Sequence, residues 1–301
     1  MTAKMTAKMT AKTLDIVDQA GKSMSREKLK DEIKILFTDI DGTLLNSDHK
    51  LSPLNIQTLV KAKEKGIKIV FSTGRPIFSV QGVIGEELKK NDLKLFPGIY
   101  LNGCITYDEN GEKIIDHVIN DELKMEIHNF TKKNKFDQYC IWYTVDKTFC
   151  FTINEEIRNY MNIESVSPEI INEATFKTMT MYKVLMCLNE QNIFSIFQSC
   201  KDLFAHKINV ANTFMNYIEL FHQKTNKFEG VKKICENYNI SLNNALVIGD
   251  GENDMEMLEG VPTSVAPSNA SDKVKRCAKY IGPSNNDDVV SHALQTFCGV
   301  H

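Results

Sequence analysis

The chain has 301 residues, too many for one small hydrophobic core and enough for two ordinary domains or one domain carrying a large insertion. With 42% hydrophobic and 25% charged residues it has the composition of a folded chain, which excludes disorder along its whole length. A formal charge of −3, from 36 Lys and Arg against 39 Asp and Glu, gives no general attraction to a polyanion, so neither nucleic acid nor an acidic membrane surface is expected as a partner.

The chain opens on MTAK written three times and stays polar to about residue 30. This opening has no apolar stretch of the kind a secretory signal needs, so residues 1–30 are expected to form a flexible tail. The fold is expected to begin at Ile33, where IKILFTDIDGTLL runs apolar and then breaks into acids and a glycine: a short buried strand followed by a turn. SPLNIQTLVKAKEKG at 52–66 predicts a helix capped by Ser52, with Pro53 in the first turn and Gly66 at the end. Its apolar stripe is expected at Ile56, Leu59, Val60 and either Ala62 or Lys63. IKIVFSTGRP repeats the strand-to-polar-turn scheme, and a second helix is expected after Pro76. Near-continuous apolar strands alternating with helices indicate a parallel sheet covered on both faces.

Residues 111–213 change character. They hold Trp142, the only tryptophan, and the unit alternates strands (YCIWYTV, TFCFTI, MYKVLMCL, NYIELFH) with helices (DELKMEIHNFTKKN, NIFSIFQSCKDLF). This reads as an α+β unit spliced into the first domain. The earlier signature returns in ALVIGDGENDMEMLEG, and the end of the chain suits short strands and a closing helix. The expected architecture is therefore a doubly wound (Rossmann-like) α/β core over 31–110 and 214–301, with an inserted α+β cap domain over 111–213. No apolar run is long enough to span a bilayer. The eight cysteines are dispersed with no CxxC pair, which suits buried or incidental thiols in a reducing, cytoplasmic compartment.

Three apolar runs end in polar clusters: Asp39/Asp41/Thr43, then Ser72/Thr73/Arg75, then Asp250/Asn253/Asp254. In a parallel sheet the carboxyl ends of the strands share one edge, and ligands bind there. Asp39 and Asp41, two apart at a strand end, are expected to face the same side, with Asp250 arriving from another strand as a third carboxylate. Close carboxylates repel unless a cation lies between them or one is protonated. All-oxygen donors without His or Cys describe a hard-cation site, for which Mg²⁺ is the natural occupant. Taken singly, DxDGT is an acidic turn, STGR a strand-to-helix cap and GDGEND a solvated loop; their order and their common position after apolar runs make them a site. The scattered histidines, His49 and His222 among them, show no metal-ligand spacing and read as surface or packing residues.

TDIDGTL, FSTGR, a lysine segment and IGDGENDMEML together resemble the four ordered motifs of the haloacid dehalogenase-like hydrolases. The chain is more closely similar to the Cof-type phosphatases, whose cap lies between the second and third motifs. YLNGCITYDENGEKI resembles that group's Asn-Gly segment, and VAPSNASDKVKRCAKYIGPSNNDDVV its terminal pattern. The likeness extends from about Ile33 to Phe297 apart from the cap. Two departures, Pro267 in place of the family's AMGNA pattern and Val289-Val290-Ser291 in place of small glycines, are expected to alter loop geometry and leave the chemistry intact.

The resemblance implies a Mg²⁺-dependent phosphatase acting on a small phosphorylated metabolite, sugar phosphates first, through an aspartyl phosphate. It makes Asp39 the nucleophile and Asp41 the acid/base. It places Mg²⁺ on Asp39, the Asp41 carbonyl and Asp250, with Asp254 orienting neighbours or the metal's waters. Thr73 and the backbone N–H of Gly42 or Gly74 would donate to phosphoryl oxygens, and Asn253 would reach the phosphate. Lys227 matches the third-motif lysine, with Lys224 as competitor. Arg75 is open between a substrate oxygen and the end of the cap; Asn102 is a candidate substrate contact, and with Gly103 is expected to turn the chain into the cap. Two other functions fit the same motifs: a phosphotransferase such as a phosphohexomutase, and a non-catalytic regulator that binds a phosphometabolite.

Overall fold

The computed structural model describes residues 15–29, 31–164, 166–188, 193–213 and 217–301, so the MTAK repeat lies outside the described residues. In chain order the first elements are β1 (Val17–Asp18), β2 (Ile35–Thr38), α1 (Pro53–Glu64), β3 (Lys68–Ser72), α2 (Ile77–Lys90), β4 (Gly98–Tyr100), β5 (Ile105–Tyr107) and β6 (Lys113–Asp116). A second group follows: α3 (Asp121–Lys133), β7 (Cys140–Tyr143), β8 (Thr148–Cys150), α4 (Glu155–Glu164), β9 (Glu169–Ile170), α5 (Glu173–Thr178), β10 (Lys183–Cys187), α6 (Ile193–Phe204), β11 (Ile208–Thr213) and β12 (Tyr217–His222). The chain closes with α7 (Lys227–Asn237), β13 (Ala245–Ile248), α8 (Met255–Gly260), β14 (Thr263–Pro267), α9 (Asp272–Cys277), β15 (Tyr280–Gly282) and α10 (Val289–Cys298).

The strands form two sheets. One runs β1-β15-β14-β13-β2-β3-β4-β5-β6, the other β11-β12-β10-β7-β8-β9. From β15 to β4 the first sheet is parallel, with β2 and β13 paired in register from Ile35↔Ala245 to Thr38↔Ile248. Two-residue periodicity sends the side chains of these strands, largely buried on both sides, to opposite faces. Leu36, Phe71, Leu246 and Ile248 meet α1, α2 and α10, whereas Ile35, Phe37, Val70 and Val247 meet α7, α8 and α9. Helices on both faces of a parallel sheet make the core an α/β, doubly wound one. No described helix is long and apolar enough to cross a membrane.

Helix α1 begins as expected, with Ser52 Oγ accepting from the N–H of Asn55 at 3.0 Å. Its inner face differs. Asn55, Thr58, Leu59 and Ala62 are buried, while Ile56 and Val60 are only partly so. Asn55 takes a core place because its amide is satisfied there: Nδ2 donates to the Leu44 carbonyl, and Oδ1 accepts from the N–H and hydroxyl of Ser291.

Three expectations about organisation need correction. Residues 15–29 are not a free tail: Ile16 is buried in the core, β1 pairs antiparallel with β15, and the Gln19 amide donates to the carbonyls of Lys275 and Ala278. The segment closes what would otherwise be an open sheet edge. Asn102 and Gly103 do not lead into the inserted unit, because β5 turns back onto β4 and β6 extends the first sheet. β12, read among the strands of the inserted unit, does lie in the second sheet between β10 and β11, so the boundary at 213 falls short of it. Helices α4 and α5 and the short strand β9 appear where the sequence pattern gave no element.

The second sheet keeps its even-numbered residues Trp142, Val184, Met186, Ile218 and Leu220 against α3 and α6. The alternate residues Tyr143, Leu185 and Cys187 join the core cluster that contains Tyr100 and Leu101. Asn55→Ala should cost about 2 kcal/mol, since three buried groups lose a partner while the helix gains propensity. Urea unfolding monitored by circular dichroism would measure it, and an unchanged midpoint would show the amide to be dispensable.

Candidate active site

β2 ends at Thr38, and the chain does not continue as a strand. Residues 40–44 wind into a single wide turn in which Asp41 keeps extended angles (φ −79°, ψ 127°) and Gly42 takes φ +74°. The glycine is required twice over. Its positive φ disfavours any side chain, and a Cβ there would lie 2.3 Å from Asp250 Oδ2. Strand pairing explains the approach: β13 runs beside β2, the N–H of Asp39 donates to the Ile248 carbonyl at 2.9 Å, and Thr43 Oγ1 donates to Asp250 Oδ1 at 2.7 Å.

Lys227, the first residue of α7, carries its ammonium into the middle of this edge. Asn226 caps the helix by accepting from the N–H of Glu229 at 2.8 Å, which starts α7 at this point. The Lys227 Nζ donates at 2.6 Å to Asp39 Oδ1 and at 2.6 Å to Asp254 Oδ1, and all three side chains are buried. Asp254 Oδ2 also accepts from the N–H of Gly251. Lys224, the competing lysine, is exposed.

Asp39, Asp250 and Asp254 each bring a carboxylate oxygen within 4.8 Å of the others. Burial pushes the Asp39 carboxyl well above its ordinary range; Lys227 opposes this, and Asp254, Asp250 and Asp41 add to it. Burial also pushes Asp250 up to about 6, with Asp254 adding and the Thr43 hydroxyl opposing. Lys227 is held above the usual lysine range, because the Asp254 and Asp39 carboxylates outweigh the burial that would lower it. Three acids against one buried cation leave uncompensated negative charge. With hard oxygen donors, that is a donor set that fits a divalent cation of the Mg²⁺ type.

Asp41 stands apart, contrary to the expectation that it faces the same side as Asp39. Its carboxylate turns to Arg75, which donates from Nε to Oδ2 at 2.6 Å and from Nη2 to Oδ1 at 2.8 Å. The cause is the wide turn, which breaks strand alternation after Thr38, together with a guanidinium fork matched to a carboxylate. The third member of the acid cluster is Asp254 in its place. The buried Arg75 also donates from Nη1 to Ser79 Oγ at 3.0 Å, while Asp41 keeps about a third of its side chain exposed, at 36%.

The second cluster sits on the next strand. Thr73, buried, follows β3 and donates its N–H to the Ile99 carbonyl; its hydroxyl accepts from the N–H of Arg75. Asn102 lies against Gly74, where a Cβ would come within 2.8 Å of its Oδ1. The same Oδ1 accepts from Asn253 Nδ2 at 2.9 Å, so two residues expected to contact substrate are bonded to each other. Sequence reasoning missed Asn269, whose amide donates to the Gly42 carbonyl at 2.8 Å and accepts from the N–H of Asn285. Its signal was its place in the SNA segment. Pro267 ends β14 beside Gly282, a position at the end of the strand that suits a residue without an N–H. His117 and His222, dismissed singly, stack 4.7 Å apart on the two links between the sheets.

The family model for haloacid dehalogenase-like hydrolases matches residues 36–294. The 5-amino-6-(5-phospho-D-ribitylamino)uracil phosphatase YcsE of Bacillus subtilis is 26% identical over 280 residues, covering 91% of this chain and 98% of its own. The phosphatase YwpJ of the same organism is 25% identical over 292 residues, covering 87% and 99%. Among solved structures, TM0651 from Thermotoga maritima superposes with a TM-score of 0.80 at 26% identity, covering 87% of this chain and 97% of that one.

Lys227→Met would leave two buried carboxylates without their cation. A stability loss of roughly 3–5 kcal/mol is expected at pH 7.5. The sign of its pH dependence follows from Asp39: without the ammonium its folded pKa rises still further above the unfolded value, so the penalty is full at high pH and fades as the pH falls. Denaturant unfolding at pH 7.5 and pH 5 should therefore show a smaller deficit at pH 5; an equal deficit would mean that the lysine is not compensating charge.

Proposed function

The chain belongs to the haloacid dehalogenase-like hydrolases, of the Cof type, and is a phosphatase; we propose that it hydrolyses monophosphates of small polyhydroxylated metabolites, sugar phosphates first, with Mg²⁺ and through an aspartyl phosphate on Asp39. The observation that carries this reading is the divergence of the two acids of one short turn. Asp39 is buried among acids and gripped by Lys227, while Asp41 is half-buried and gripped by Arg75. In this reading Asp39 attacks phosphorus and Asp41 exchanges protons.

In the proposed reaction a carboxylate oxygen of Asp39 forms a bond to phosphorus as the bond from phosphorus to the ester oxygen breaks. Asp41 gives its proton to the departing alkoxide, then takes one from the water that attacks the acyl phosphate. That attack breaks the bond between phosphorus and Asp39 and releases inorganic phosphate. Lys227 fixes one Asp39 oxygen and keeps a positive charge beside the transferring group. Arg75 sets the plane of the Asp41 carboxylate. Thr73 and the N–H groups of Gly42 and Gly74 are the proposed phosphoryl donors, with Asn253 as a further contact and Arg75, through Asp41, a positioning residue. Asp39, Asp250 and the Asp41 carbonyl would hold Mg²⁺, with Asp254 behind them; the bound ion neutralises the repulsion between nucleophile and phosphate. The ribityl phosphate in the name of the YcsE relative supports a hydroxyl-rich leaving group.

Asp39→Asn should lower turnover of sugar phosphates by at least about three powers of ten, roughly 4 kcal/mol of barrier, without loss of the fold. Steady-state phosphate release checks this, and a variant keeping a tenth of wild-type turnover would move the nucleophile elsewhere. Metal dependence has its own signature. Because burial pushes the Asp250 carboxyl up to about 6, above its ordinary value near 4, the metal-free protein should lose stability as the pH rises through that window. Mg²⁺ should therefore raise the melting temperature more at pH 7.5 than at pH 5. A shift that is equal at both pH values would place the ion elsewhere.

A further inference from the structure

A buried ion pair on the second sheet is not used by the chemistry above. Lys183 Nζ donates to Glu219 Oε1 at 2.8 Å, with the residues only 3% and 7% exposed. Register explains the pairing: Leu185 on β10 lies opposite Glu219 on β12, so Lys183 is its diagonal neighbour on the same face. That face also carries Tyr143, whose ring lies 4.5 Å from the ammonium. It is the face that joins the core cluster, opposite to the one under α3 and α6.

The second carboxylate oxygen crosses to the core. Glu219 Oε2 accepts from Asn102 Nδ2 at 3.4 Å, a long bond, and Asn102 Oδ1 accepts from Asn253 Nδ2. Asn102 itself is held under strain: Leu101, Asn102 and Gly103 all take positive φ, at 50°, 60° and 98°. The loop is kept there by N–H donation from Leu101 to the Arg75 carbonyl and from Asn102 to the Thr73 carbonyl. Consecutive left-handed residues persist only where their surroundings over-determine them, and such places cluster at ligand sites. A buried pair is also a poor stabiliser, since apolar residues of like volume serve as well or better.

We propose that Glu219, with Lys183 as its counter-ion, is a specificity-determining residue that accepts a hydrogen bond from a hydroxyl of the leaving group between the two sheets, in place of the Asn102 amide. This rests on the phosphatase reading and adds the residue that selects the substrate class. An ionised carboxylate is an acceptor only, so it takes hydroxyl donors and repels a second anionic group. The remaining ammonium protons of Lys183 serve a neighbouring hydroxyl. The fitting leaving group is a neutral polyol with adjacent hydroxyls, not a bisphosphate or an acid.

The test compares wild type with Glu219→Gln on glucose 6-phosphate, ribose 5-phosphate and p-nitrophenyl phosphate, whose leaving group has no hydroxyl to donate beyond its ester oxygen. The ratio of kcat/KM for the better sugar phosphate to that for p-nitrophenyl phosphate should fall about 30-fold, the range of one hydrogen bond to a charged group. A ratio that does not change overturns the proposal, whether both values fall together or neither falls. Calorimetric binding of the same esters in an Asp39→Asn background separates this inference from the reaction. Glu219-dependent binding of a sugar phosphate without turnover in the wild type would sink the phosphatase reading and keep the inference; binding indifferent to Glu219→Gln would sink the inference alone. Should Glu219→Gln fail to fold, Glu219→Gln with Lys183→Gln removes both charges together and carries the same comparison.

Discussion

One buried ammonium holds the acidic edge of the parallel sheet together. Lys227 sits between Asp39 and Asp254 with 2.6 Å contacts to each, and all three are shielded from water. Two acids brought this close without it would repel strongly at low dielectric, so the loops after β2 and β13 could not lie side by side as ionised carboxylates. The cation is itself delivered by secondary structure, at the first turn of α7, where the Asn226 cap fixes the start of the helix. Electrostatics and local folding therefore depend on the same residue.

The sheet supplies the rest. β2 and β13 are neighbours although far apart in the chain, and the topological order of the parallel strands places Asp39, Thr73 and Asp250 on one rim. Packing shape holds this arrangement, since a one-residue slip of β2 would exchange Leu36 and Phe37 between two cores fitted to different side chains. The proposed division of labour between Asp39 and Asp41 then arises from the wide turn after Thr38. It sends one acid toward a lysine in the interior and the other toward an arginine at the rim.

The inserted unit is joined to this rim by packing and by one polar line. Tyr143, Leu185 and Cys187 share a cluster with Tyr100 and Leu101, and the Lys183–Glu219 pair meets Asn102 at the junction. His117 and His222 lie where the chain passes between the sheets in each direction. Apolar contact sets the approach of the two layers, while the polar line ties Lys183 and Glu219 of the insert to Asn102 and Asn253 of the core.

Much of the architecture is legible in the residues. Apolar runs ending in acids mark β2, β3 and β13, and Ser52, Pro53 and Gly66 bound α1, because strand burial and capping are local properties. The four motifs likewise identify the family. Local signals fail where partners come from elsewhere. Asn55 carries no signal in the sequence and Asn102 reads as a turn residue or substrate contact, until Ser291 and Leu44 are seen to satisfy the first and Glu219 and Asn253 to bond the second. Asp41 looks like a second member of a carboxylate cluster until Arg75 claims it and Asp254 takes the place. The limits of the insert moved because β6 and β12 chose their sheets by pairing, not by composition. By itself, then, the sequence determined the parallel core strands, the helix that follows the first of them and the acids that end them, because burial and capping are local. Only the tertiary structure decided which charges neutralise one another, because a buried charge takes its partner from across the fold.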